Sequence, residues 1–130
     1  MKKPLTLLLF EGRALEAMRF YVSLFPEGVI MSLSKYGKDG PGKEGSVRRA
    51  RFVLNGQEFM AVDTPVKRDF AFTPAVSIFV TCETEREIDT VYARLLEGGG
   101  ALMPLGDYGF SRKFGWLNDK FGVSWQLNLG

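Results

Sequence analysis

The chain has 130 residues, 45% of them hydrophobic and 25% charged, with a formal net charge of +2. That balance excludes a disordered or membrane-embedded chain, and the length allows one ordinary domain but not a cofactor domain joined to a substrate domain. With no histidine and one cysteine, the chain lacks the commonest neutral-pH base and metal ligand and can form neither an intramolecular disulfide nor a cysteine-rich zinc site. A cytoplasmic protein is expected, with Cys82 as a small buried apolar residue.

The opening MKKPLTLLLF is followed by Glu11 and Arg13 without a cleavage site, so it reads as a first strand over 6–10 rather than a signal peptide. Ala14, Ala17, Met18, Tyr21, Leu24 and Phe25 then fall on one helical face, which Pro26 and Gly28 terminate. A strand is expected over 29–36, followed by the glycine-rich, charged loop GKDGPGKEGS. Strands over 47–54 and 57–62 flank Asn55 and Gly56, a dipeptide suited to a tight hairpin. Lys35, Lys38, Lys43, Arg48, Arg49 and Arg51 gather in this region. Asp39 and Glu44 interrupt the run and only Tyr36 is interleaved, so a solvated surface is expected rather than a nucleic-acid interface.

The order then repeats. A strand is expected over 75–82, and Thr84 with Glu87 three residues later forms a capping box ahead of the helical stripe Ile88, Val91, Tyr92 and Leu95. Gly98 to Gly100 end that helix. Further strands are expected over 101–103, around 108–117 and over 123–129. The result is one α+β domain of two βαβββ pseudo-repeats, about 1–64 and 74–130. Counting places Tyr21 on Tyr92 and Thr6 on Ser77 with one offset, and Met60 on Gln126 with another.

Three segments carry a resemblance to a known family: EAMRFYVSLFP in the first helix, AVSIFVTCETEREID opening the second half, and LMPLGDYGFSRKFGWLNDKFGVSWQLNL at the end. The chain resembles the vicinal oxygen chelate superfamily of glyoxalases, ring-cleaving dioxygenases and bleomycin-resistance-like proteins, and more narrowly its PhnB-like branch. The resemblance implies tandem βαβββ modules forming curved mixed sheets with helices outside, a ligand cleft, and a homodimer. Alternation assigns Leu5, Leu7, Leu9, Phe59, Ala61, Ile78, Val80, Trp125, Leu127 and Leu129 to the face under the helices. The opposite face then takes Thr6, Leu8, Phe10, Glu58, Met60, Val62, Ser77, Phe79, Thr81, Ser124, Gln126 and Asn128.

In metal-dependent members of the superfamily the ligands are usually histidine and glutamate, on the first and last strands of each half. Those positions correspond here to Thr6, Ser77, Met60 and Gln126, with the family's D-x-x-G-x-x-x-E turn and strand appearing as Asp119, Gly122 and Gln126. Two hydroxyls, a thioether and an amide make a poor set for a transition metal, so no metal and no cofactor are expected. The leading expectation is a metal-free protein that binds a small organic molecule through Thr6, Leu8, Met60, Ser77, Phe79, Tyr108, Phe110, Trp116 and Gln126. One alternative is a metal-independent enzyme of glyoxalase-like lyase or isomerase type, with Glu58 or Asp63 as the catalytic base. Another is an interaction module using exposed strand edges. PhnB-like proteins often carry a 3-demethylubiquinone-9 3-methyltransferase label, which the residues disfavour because no glycine-rich turn follows the first strand as a Rossmann-like sheet requires.

Overall fold

In the computed structural model, which describes residues 1–130 throughout, the chain divides into two compact units, Met1–Asp69 and Phe70–Gly130. The first contains β1 (Thr6–Phe10), α1 (Ala14–Leu24), β2 (Gly28–Lys35), β3 (Val47–Leu54) and β4 (Gln57–Asp63). The second repeats the order with β5 (Ser77–Cys82), α2 (Glu85–Leu96), β6 (Gly100–Gly106), β7 (Lys113–Asn118) and β8 (Ser124–Leu129). Each unit is an open four-stranded mixed sheet, ordered β1-β4-β3-β2 in one and β5-β8-β7-β6 in the other. First and last strands run parallel, and the remaining pairs are antiparallel. The expected βαβββ repeat is therefore present in both halves.

Each sheet buries one face against its helix. In the first unit Ala14, Ala17, Met18 and Tyr21 of α1 are buried, with Phe52, Leu54, Phe59 and Ala61 on the sheet. Phe52 stacks on Phe59 with ring centroids 5.3 Å apart. Complete burial of a side chain such as Phe52 or Met18 contributes roughly 1.5–3 kcal/mol. In the second unit Ile88, Val91, Tyr92 and Leu95 of α2 are buried, together with Trp125, Leu127, Leu129 and Leu117. Cys82 is buried too, and burial, reinforced by the Glu87 charge, pushes its thiol up to about 11.

The turns follow their residues. Asn55 and Gly56 both adopt positive φ, at 45° and 89°, and close the β3–β4 hairpin. The Asn55 side chain also accepts the Glu27 N–H at 2.9 Å, tying that hairpin to the start of β2. Before β8, the Asp119 carboxylate accepts the Phe121 and Val123 N–H groups and the Trp125 indole N–H, while Gly122 turns the chain at φ 92°. Asp119 thus fixes the turn that sets the register of Gln126.

Two sequence expectations are corrected. Leu5, Leu7 and Leu9 were expected under the helix, but β1 pairs Leu8 with Ala61 and Phe10 with Asp63, and these are buried partners. Leu8 is 8% exposed and Leu7 48% exposed. A run of three leucines has no alternation of its own, so its face is decided by pairing with β4. The strand expected around 108–117 is confined to Lys113–Asn118, and residues 107–112 form a loop.

Candidate functional site

The first unit deals with both candidate bases. Asp63 is 2% exposed, and its two oxygens accept the N–H groups of Gly12, Ala14 and Val47 at 2.8, 3.0 and 2.9 Å. It lies on the helix side of the sheet, and its bonds cap α1 and anchor the start of β3. Such a carboxylate is committed to three backbone donors rather than to proton transfer. Glu58, on the opposite face, forms an ion pair with Arg51. Met60 is half-buried on that same face, paired with Leu7 in β1 and with Arg51 in β3. Thr6 pairs with Phe59, so its side chain belongs to the helix side, as does that of Leu8. Pairing therefore separates Thr6 and Leu8 from Met60, whose first-strand neighbour is Leu7.

The second unit brings four expected residues together on the face of its sheet turned away from α2. Phe79, Gln126 and Trp116 form a row across β5, β8 and β7, and Trp116 continues it to Met103 in β6. Ser77, Ser124 and Asn118 form the next row. Phe79 is 57% exposed, while Ser77, Trp116 and Gln126 are half-buried. The Trp116 indole N–H donates to Ser124 Oγ at 2.9 Å, the Ser77 and Ser124 hydroxyls lie 2.7 Å apart, and Gln126 Nε2 donates to Ser77 Oγ at 3.3 Å. Asn118 Oδ1 is buried with no hydrogen-bond partner.

Tyr108 and Phe110 lie in the loop between β6 and β7. Their rings are near-parallel, and both meet Phe114 edge-on, at centroid distances of 6.3 and 4.9 Å. Phe114 pairs with Asn128, which places it on the same face as Trp116 and Gln126. Phe110 remains 64% exposed.

Sequence reasoning placed Ser124 on this face by alternation but gave it no part in the site, and it missed Asn118, which lies just past the end of the strand then expected. The pairing of β7 with β8 makes both of them neighbours of Trp116 and Ser77.

The donor chemistry at the four superfamily positions does not fit a divalent transition metal. Gln126 presents an amide N–H to Ser77, Thr6 is on the wrong face for Met60, and no group of three or more cysteine, aspartate or glutamate side chains is placed to hold a metal ion. No helix is long and apolar enough to cross a membrane.

A family model described as 3-demethylubiquinone-9 3-methyltransferase matches residues 2–128. Among solved structures, a Bacillus cereus PhnB protein given the same methyltransferase label is 61% identical. That match covers 99% of this chain and 100% of the other, with a TM-score of 0.97. A Pseudomonas aeruginosa protein is 27% identical over 99% of this chain and 98% of its own, with a TM-score of 0.85. The fosfomycin resistance protein FosX from Mesorhizobium loti shares the fold alone, at 14% identity and a TM-score of 0.61 over 100% of this chain and 94% of its own. No curated protein matches the chain.

Proposed function

Because the chain belongs to the 3-demethylubiquinone-9 3-methyltransferase family, the PhnB-like branch of the vicinal oxygen chelate superfamily, we propose that it binds a small organic molecule without a metal. The binding surface in this reading is the face of the second unit's sheet turned away from α2. The observation that carries it is the row Phe79, Gln126 and Trp116, which sets a polar amide between two aromatic side chains. Aromatic rings supply apolar contact area, and a few fixed polar groups beside them orient a ligand. Tyr108 and Phe110 extend the aromatic surface beyond Phe114.

Base catalysis is the weaker reading. Asp63 is bonded to three backbone donors and Glu58 is paired with Arg51. The fold also does not favour the methyltransferase activity in the family's name, since two open four-stranded mixed sheets differ from the doubly wound sheet with a glycine-rich first turn that would support it.

Native mass spectrometry on protein purified without chelators tests the proposal. A retained organic molecule that Trp116→Ala loses, with no stoichiometric metal, is the expected result. A metal adduct that survives desalting overturns the metal-free reading.

A further inference from the structure

On the face of the second unit's sheet turned away from α2, the hydrogen bonds leave one donor over. An indole N–H can only donate, so Ser124 Oγ is an acceptor for Trp116. The Gln126 amide N–H likewise donates to Ser77 Oγ. The two hydroxyls together carry two hydrogens, and the single 2.7 Å contact between them uses one. Ser124 is 1% exposed, so its hydrogen needs a protein acceptor. Asn118 Oδ1, its neighbour in the row, receives no donor at all. Ser124 therefore donates to Ser77. The chain runs from Trp116 through Ser124 to Ser77, and Ser77, accepting from both Ser124 and Gln126, keeps its own hydrogen for a group outside the protein.

We infer that the Ser77 hydroxyl is the donor that selects a carbonyl oxygen on a planar ligand lying between Phe79 and Trp116. This inference rests on the binding face proposed above and names what that face reads. Two features favour a neutral carbonyl over a cation or a carboxylate. The cluster of Ser77, Ser124, Gln126, Asn118 and Trp116 carries no charge, and its spare hydrogen is a donor fed by two further donors, an arrangement in which each bond polarises the next. The amide at Gln126 matters to this. A carboxylate there could only accept, and would draw the Ser77 hydrogen toward itself.

The test compares 2-acetylnaphthalene with 2-isopropenylnaphthalene, which keeps the shape but replaces C=O by C=CH2, using quenching of Trp fluorescence to read affinity. The ketone is expected to bind about tenfold more tightly, the ratio corresponding to one net hydrogen bond of about 1.4 kcal/mol. Ser77→Ala should bring that ratio near one. Gln126→Glu should lower the ratio as well, and Ser77→Thr, which keeps the hydroxyl, should restore it. Equal binding of both compounds to the unmodified protein overturns the carbonyl inference and leaves the binding face standing. Binding of neither overturns the face and the inference together. A ratio that survives Ser77→Ala, in a variant whose thermal midpoint is unchanged, assigns the preference to another donor and overturns the role of Ser77.

Discussion

The two units share an element order but start their helices by different means. In the second, Thr84 accepts the Glu87 N–H while the Glu87 carboxylate accepts the Glu83 N–H, a cap made within five residues. In the first, Arg13 occupies the capping position with no side-chain cap. The job falls to Asp63, forty-nine residues further along the chain from Ala14. The last strands explain how. Phe10 pairs with Asp63 at the end of β1 and β4, and Cys82 pairs with Leu129 at the end of β5 and β8. A strand end that points at a helix N-terminus can carry either a leucine, if the helix caps itself, or a buried carboxylate, if it does not. Asp63 thus supplies from a distant strand the acceptor that α1 lacks locally.

Exchanging residues between the units tests that account. Asp63→Leu places the second unit's residue in the first and leaves three backbone N–H groups without an acceptor, two of them in the first turn of α1 or just before it. The expected cost is on the order of 4 kcal/mol, read by urea unfolding, and Asp63→Asn should recover part of it. A loss below about 1 kcal/mol would mean that water reaches those donors and that the cap is dispensable.

The opposite exchange is Gly115→Ala. Gly115 pairs with Leu127 as Ala50 pairs with Ala61, so the first unit already has alanine at the corresponding place. In the second unit a Cβ at Gly115 would lie 2.4 Å from the Tyr92 ring, which packs across the sheet and donates its hydroxyl to Met103 O. Overpacking of this kind costs about 1–3 kcal/mol. The same experiment on a Tyr92→Leu background should show a smaller penalty, because the ring supplies the clash.

Thr84→Ala removes only the local cap and should cost about 1 kcal/mol. The effect is smaller than that of Asp63→Leu because the single N–H it frees, that of Glu87, is near solvent, where water replaces the lost bond.

This difference also sets what could be read from the sequence. The cap of α2 was legible because its members are adjacent in the chain, and so was the Asn55–Gly56 hairpin, whose geometry those two residues dictate. The role of Asp63 was not, since a lone acid at a strand end looks the same whether it is solvated, catalytic or capping. The face of β5 was legible because Ile78 and Val80 alternate with Ser77, Phe79 and Thr81. The face of β1 was not, because Leu7, Leu8 and Leu9 are chemically equal and only the register with β4 distinguishes them. Around the candidate site, alternation grouped Ser77 with Gln126, but the relay through Ser124 depends on three strands being in register and has no local signature.

The last expected effect is absent at neutral pH and concerns Cys82, which stands where the first unit has Phe10. Burial, with a lesser contribution from Glu87, raises its thiol from an ordinary value of 9.0 to about 11. Between those values the folded chain holds the proton while the unfolded chain has released it. Stability from this group is therefore complete below pH 9 and declines as pH rises toward 11. Tyr92 and Lys113 are also raised, Tyr92 mainly by burial and Lys113 mainly by its hydrogen bonds to Asp89 and Glu85, so they add slopes of the same sign at alkaline pH. Cys82→Ala separates the contributions: the gap in unfolding free energy between parent and variant should shift in the variant's favour between pH 9 and 11 and be constant below pH 8. A constant gap over the whole range would mean that the thiol ionises alike in both states.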